Sequence, residues 1–397
     1  TGGFIGTYGI MKVKDGTIKY LETDDIYNLD KNATVKIEPP APIKKYNRRE
    51  EWLLRDVNWD PDFSATGQRA IDFYNQEGGT EKIDGAIAIT PLFIESLLDL
   101  VGPITIDGVT FRSEDFVRVL ESEVEMNYFQ KGVEEENRKD IIGKLTKELV
   151  GRLFQLPKEK WVELGKAIEN SLKQKQVLVY FVQPGMQHVF SASNWTGELV
   201  PYYGDYAMVV DANLASLKTD LVMEKDISYA LKQDKNGDLI ARFNIRYTNT
   251  GDFTWWSTRY RTYTRLYVPQ GSKLVSSSGA MENDKIQGGG PGKVEVYDEH
   301  GKTVFAAFIS IEPKEKGELV FEYRLPDYIK EMYERGLYNL YIQKQPGMYA
   351  NQIDISLNFD RKIMNYYPES GEIQTEGKNT LKWNTAVLED IEIRAGF

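Results

Sequence analysis

Ile83-Asp84-Gly85-Ala86-Ile87-Ala88-Ile89-Thr90-Pro91-Leu92-Phe93-Ile94-Glu95-Ser96-Leu97-Leu98-Asp99-Leu100-Val101-Gly102-Pro103-Ile104-Thr105-Ile106 carries the fold class of the first half of the chain. Ile83 to Ile89 is a short apolar run of the kind seen in buried strands. Thr90 and Pro91 have the chemistry of an N-cap and a first helical position. Leu92, Ile94, Leu97, Leu98 and Leu100 give the helix an inner face, and Gly102-Pro103 stops it before Ile104 to Val109 returns as a strand. Strand, helix, strand is the alternation of an α/β layer fold.

The flanking residues agree. Phe4 to Val13 reads as a strand, Lys14-Asp15-Gly16-Thr17 as a turn, and Ile18 to Leu21 as the strand that pairs back. Residues 31–50, with Pro39, Pro40 and Pro42, read as a proline-rich loop. Ser64 to Glu77 is a helix closed by Gly78-Gly79. Ser113-Glu114-Asp115 caps another, Asn137 to Phe154 and Lys158 to Lys175 are amphipathic helices, and Val177 to Val182 is a last core strand. Residues 191–204 are rich in Ser, Gly, Pro and Tyr and read as a linker. Beyond them helix signals fade, and alternating segments such as Leu239 to Tyr247 and Val304 to Ile311 indicate an all-β sandwich. The expected organisation is an α/β domain over 1–190, a linker over 191–204 and a β-sandwich over 205–397.

Composition narrows the chemistry. The chain has 397 residues, 41% hydrophobic and 12% aromatic, enough for two packed cores. Its net charge of -11 argues against a nucleic-acid partner, which would need a basic face. With no cysteine there is no disulfide, zinc-thiolate site or thiol nucleophile. His188 and His300 are the only histidines, so a metal would be a hard cation held by carboxylates. No apolar run reaches the roughly 20 residues of a membrane span, but the chain starts inside a motif without Met, and an anchor upstream of Thr1 is expected.

Two strings carry the candidate chemistry. Arg55-Asp56-Val57-Asn58-Trp59-Asp60-Pro61-Asp62-Phe63 packs one Arg, three Asp and one Asn into nine residues. A guanidinium can fork onto phosphate oxygens, and carboxylates can hold Mg²⁺. The same residues also read as a turn and a helix cap, with Arg55 pairing Asp56 or Asp62. Thr1-Gly2-Gly3 could bring backbone N–H groups to an anion, or simply allow tight strand packing. Arg138-Lys139, after the acidic run Glu134-Glu135-Glu136, is either a second cationic arm or a salt-bridged helix face. In the second half, strand alternation puts Arg259, Arg261, Tyr263, Arg265 and Tyr267 on one face, which reads as a solvated or interdomain surface rather than a sugar site at Trp255-Trp256.

At these strings the chain resembles the bacterial domain-of-unknown-function family 4012, and more distantly the LytR–CpsA–Psr cell-envelope proteins. The resemblance to the first rests on Thr1 to Gly6, Pro39-Pro40, Arg55 to Phe63, Asp84 to Ile89 through Gly102-Pro103, and later on Tyr267-Val268-Pro269-Gln270-Gly271 and Tyr341 to Gly347. The resemblance to LytR–CpsA–Psr proteins covers about residues 1–155. It implies an extracytoplasmic, membrane-anchored protein whose first domain is a LytR–CpsA–Psr-like α/β/α domain, and the strand pattern makes the second an Ig-like β-sandwich. It also implies transfer of a glycopolymer from a polyprenyl-pyrophosphate carrier to an envelope acceptor. Arg55 and Asp56 fall on that family's Arg-Asp pair, and Arg138 on the Arg of its Arg-Gln motif, where this chain has Lys139. Arg55, Asp56 and Arg138 are then the catalytic candidates, Thr1, Gly2, Gly3 and Asn58 the ligand-binding ones, and Asp56, Asp60 and Asp62 those for Mg²⁺. An Asp expected near Thr1 is absent, so the alternative is a non-catalytic surface or scaffolding protein that binds glycan, lipid or a protein partner.

Overall fold

The computed structural model describes residues 2–369 and 371–397. They form two compact units, one spanning Gly3–Pro40 and Glu50–Glu198, the other Ala41–Arg49 and Leu199–Phe397 together with Gly2. The first mixes helices and strands. The second holds two seven-stranded sheets and is a β-sandwich.

In the α/β unit, Thr7–Lys14 pairs antiparallel with Thr17–Asp25, so that Thr7 lies opposite Asp25. The turn between them has positive φ at Asp15 (50°) and Gly16 (69°), the geometry that suits the right-handed twist of a hairpin. Asp25 ends the second strand and at once caps the Ile26–Asp30 helix, accepting the Tyr27 N–H at 3.1 Å. Asp62 caps Phe63–Gln76 by accepting the Ala65 N–H at 3.1 Å. Thr90 and Pro91 open Pro91–Val101 as expected. Ile26, Leu29, Leu54, Val57, Phe73 and Tyr74 close one core, and Leu97, Leu98, Ile104, Phe111, Phe116, Leu145 and Leu149 a second.

Strand pairing departs from the expected layer. Gly85–Ile89 pairs antiparallel with Val177–Phe181, and Ile104–Ile106 with Val109–Phe111. Among the described residues the strands of this unit therefore form three two-stranded ribbons. Ile87 and Ile89 are 55% and 54% exposed, so the run read as a buried strand presents its isoleucines to the outside. An apolar run without alternation does not report which of its faces is covered.

The proline-rich segment also differs. Ala41–Asn47 is a helix, with Pro42 in its first turn where a missing N–H does no harm. It belongs to the β unit: Tyr46 stacks on Phe308 with centroids 4.0 Å apart, and Arg261 donates to the Tyr46 carbonyl at 2.9 Å. Its two buried residues, Ile43 and Tyr46, are too few for a periodic signal in sequence.

The two seven-stranded sheets share one core. Ile227, Tyr229 and Leu231, and Phe243, Ile245 and Tyr247, alternate inward from adjacent strands against Leu266 and Phe305 of the other sheet. Each sheet contains a parallel pair, Leu337–Ile342 beside Asp205–Asn213 and Gln352–Asn358 beside Met223–Gln233. Fourteen strands make it about twice an immunoglobulin constant domain. The core also holds charge. Asp211 accepts from Lys225 at 2.6 Å, Tyr247 at 2.8 Å and Thr264 at 2.6 Å. The face carrying Arg261, Tyr263, Arg265 and Tyr267 is buried rather than solvated. Arg261 pairs with Asp284 at 3.1 Å, and Tyr263 donates to Glu295 at 2.9 Å, so carboxylates on neighbouring segments supply what solvent would have.

Gly67 has no room for a side chain. A Cβ there would lie 2.7 Å from the Tyr180 Cβ, where the Phe63–Gln76 helix crosses Val177–Phe181. Gly67→Ala is expected to destabilise the α/β unit by about 1–3 kcal/mol despite the better helix propensity of Ala, read from urea unfolding. In the β unit, Lys225→Met strands the buried Asp211 carboxylate and is expected to cost about 3–5 kcal/mol. A midpoint unchanged by Lys225→Met would show that the pair contributes nothing.

Candidate functional site

The site grows from Leu53-Leu54-Arg55-Asp56. Leu54 is buried in the core, and its N–H donates to Glu77 Oε1 at 2.8 Å, which pins the 3₁₀ turn Leu54–Asp56 to the end of the Phe63–Gln76 helix. The turn aims Arg55 inward. Its Nη1 donates to Asp30 Oδ2 at 3.0 Å, and its Nε lies 3.5 Å from Asp56 Oδ2. Its guanidinium stands 5.2 Å from the centroid of the Tyr27 ring.

The same ring receives two more cations. Arg138 and Lys139 lie just ahead of the Asp140–Phe154 helix, at 5.8 Å and 5.9 Å from the Tyr27 centroid. Asp25 holds both: Arg138 Nε donates to its Oδ2 at 3.2 Å and Lys139 Nζ to its Oδ1 at 2.9 Å. Arg138 Nη1 also reaches Glu125 at 2.9 Å, and Lys139 Nζ donates to the Gly6 carbonyl in the glycine-rich opening stretch. Phe4, 46% exposed, lies beside Tyr27 with ring centroids 5.8 Å apart. Three like charges around one ring are tolerated because the ring face attracts cations and carboxylates stand between them.

The electrostatics are those of a buried ion-pair network. Burial pushes the Asp25 carboxyl up, but the Lys139 hydrogen bond, the Tyr27 N–H and the charges of Lys139 and Arg138 outweigh it and hold Asp25 below the usual range. Burial lowers the Lys139 ammonium despite Asp25. Burial and the neighbouring Asp30 lift Glu77 to about 7 against the Leu54 N–H, and burial raises Asp30 as well against the opposing pull of Arg55.

The structure thus brings Arg55, Asp56 and Arg138 to one place. It puts Asp60 and Asp62 to other work. Asp60 Oδ1 accepts the Asp62 N–H at 2.9 Å and Oδ2 faces Arg69 at 3.7 Å, while Asp62 is the helix cap. Among the described residues no three His, Cys, Asp or Glu side chains are grouped closely enough to hold a metal ion. Asp56, Asp60 and Asp62 therefore do not fit a shared Mg²⁺ ligand set. Asn58 donates to the Gly3 carbonyl at 3.5 Å, so these two candidates meet each other. Gly2 falls in the β unit, where its carbonyl accepts the Asn213 N–H at 3.0 Å. Its φ is +78°, and a Cβ would lie 2.1 Å from the Asp211 carbonyl oxygen, so the strand-packing reading holds for Gly2. Thr1 lies outside the described residues.

Sequence reasoning missed Asp25, Tyr27, Asp30, Glu77 and Glu125. Asp25 and Arg138 are 113 positions apart, and no local spacing links them. What the arrangement offers is two guanidinium forks and an ammonium gathered at one ring, each held by carboxylates. Asp25→Ala would leave Lys139 without its carboxylate and Arg138 with Glu125 alone, at a site that is otherwise buried. The expected loss is about 3 kcal/mol of α/β-unit stability, measured by chemical denaturation. An effect below about 0.5 kcal/mol, the level of an ordinary surface substitution, would contradict this account of Asp25.

Comparison with known proteins adds little chemistry. No curated protein sequence matches the chain. A crystal structure of a Legionella pneumophila protein described as nutrient-binding aligns at 8% identity and a TM-score of 0.32, over 49% of this chain and 71% of that one. The M1 zinc metallopeptidase of Deinococcus radiodurans aligns at 10% identity and a TM-score of 0.23, over 46% of this chain and 43% of that one. The chain thus spans less than half of the metallopeptidase, and likenesses this low carry no argument about fold or activity. These matches do not show the likeness to LytR–CpsA–Psr proteins. Residues 1–124, which include Asp25, Tyr27, Asp30, Arg55 and Glu77 but not Arg138 or Lys139, match the model of the family described as Protein of unknown function (DUF4012).

Proposed function

We propose that this is an extracytoplasmic, membrane-tethered protein of the cell envelope whose α/β unit handles polyprenyl-(pyro)phosphate-linked glycans. The observation that carries this reading is the gathering of Arg55, Arg138 and Lys139 around the Tyr27 ring, from parts of the chain with no local relation. A pyrophosphate offers enough oxygens to take both guanidinium forks, in exchange for Asp30, Asp25 and Glu125. In a transfer reaction the acceptor hydroxyl attacks the sugar phosphate and polyprenyl phosphate leaves. Arg55 and Arg138 carry the charge that develops.

A second reading is recognition without transfer, by a surface or scaffolding protein. It is favoured by one specific observation: Arg55, Arg138 and Lys139 are all already paired with carboxylates. Such a site binds by exchange and supplies less uncompensated charge to a transition state.

The two readings separate in a paired assay on the chain reconstituted with a polyprenyl-pyrophosphate-linked glycan. Arg55→Ala and Arg138→Ala are each expected to weaken binding about tenfold or more, the equivalent of about 1.4 kcal/mol per lost contact. Glycan transfer by the native chain that falls with the same substitutions supports the enzyme. Binding without transfer supports the scaffold. Binding indifferent to both substitutions sinks both readings of this site.

A further inference from the structure

Behind Arg55 sit two buried carboxylates, Asp30, which the proposed function uses, and Glu77, which it does not. Asp30 is 6% exposed and Glu77 2%. Each uses one oxygen: Asp30 Oδ2 accepts from Arg55 at 3.0 Å, and Glu77 Oε1 accepts the Leu54 N–H at 2.8 Å. Each also has a second oxygen, Asp30 Oδ1 and Glu77 Oε2, that is buried with no hydrogen-bond partner. The two carboxylates hold adjacent residues of one turn, Leu54 and Arg55, and Asp30 acts on the Glu77 carboxyl; such a pair with an orphan acceptor apiece can be satisfied by one shared proton, as O–H···O⁻.

We propose that Asp30 and Glu77 share one proton, and that this proton sets how tightly Arg55 is held and how readily it passes to an incoming anion. The charged groups around the pair are Arg55 and Asp56 on the 3₁₀ turn. Beyond them, across the Tyr27 ring, stand Arg138 and Lys139 with Asp25. With the proton in place the pair bears a single negative charge, partly satisfied by the shared hydrogen bond, and Arg55 can turn to another anion. Without it the pair bears two. It then grips Arg55 harder and repels any anion nearby. Burial and the nearness of Asp30 lift Glu77 to about 7, so the change falls near neutral pH. The sign follows from a raised carboxyl pKa. The stability that the proton confers is fully present below the ordinary carboxylate range and is lost as pH rises through about 7. Glu77 is thus a positioning residue that acts through Arg55. The second half of this inference rests on reading Arg55 as an anion-binding group; the first half does not.

Two measurements on the full chain test the halves apart. An NMR titration that follows the Glu77 carboxyl by ¹³C and the Arg55 side-chain N–H by ¹⁵N is expected to show both moving together with a midpoint near 7. In Glu77→Gln, whose amide donates to Asp30 at every pH, the Arg55 signal should stop titrating there. A Glu77 midpoint near the ordinary value of about 4.3, or an Arg55 signal that ignores it, overturns the shared proton. Sulfate, whose charge is constant over this range, then serves as the anion probe. Its affinity for the native chain is expected to fall about tenfold from pH 6 to pH 8, and to be flat and strong in Glu77→Gln. Equal slopes in the two proteins overturn the coupling. Absence of sulfate binding in both overturns the coupling together with the anion-site reading, while the titration still decides the proton pair.

Discussion

Asp25 is the residue through which the α/β unit becomes one object. It ends the second strand of the opening hairpin, caps the helix that carries Tyr27, and divides its two oxygens between Arg138 and Lys139. At 3% exposure its charge could not persist without those partners. One carboxylate therefore fixes where Tyr27 points and ties a segment more than a hundred positions away to the same ring. Glu77 plays the matching part on the other side, pinning the turn that presents Arg55.

A site built this way holds its cations against carboxylates from several segments. Its cations are already engaged, so in the proposed function a ligand has to outcompete carboxylates rather than fill an open charge. Exchange of this kind favours a multidentate anion over a simple one, because each guanidinium fork gives up a carboxylate only for an equally good acceptor. The β unit shows the same economy: Asp211 and Lys225 lie inside the sandwich, satisfied by each other and by Tyr247 and Thr264.

Several local patterns in this chain admit two readings that only packing separates. Asp60-Pro61-Asp62 looked like metal chemistry because several carboxylates stood together, yet Asp60 and Asp62 were also what a helix start wants, and the local reading prevailed. Ile87 and Ile89 looked like core because apolar runs usually are, but what covers a strand is decided by its neighbours. The helix Ala41–Asn47 escaped notice because its prolines read as a loop and only two of its residues are buried.

By itself the sequence determined the mixed first half and the sandwich of the second, the Asp62 cap and the Thr90-Pro91 helix start, and the charge gathered at Arg55-Asp56. Those follow from local rules: capping chemistry, alternation, and charge set where a turn must be. Only the tertiary structure decided that Arg55 and Arg138 share the ring of Tyr27, that Asp25, Asp30 and Glu125 already hold them, and that Glu77 stands behind. Ion pairs between distant segments have no periodicity to read, because they depend on where packed elements finally meet.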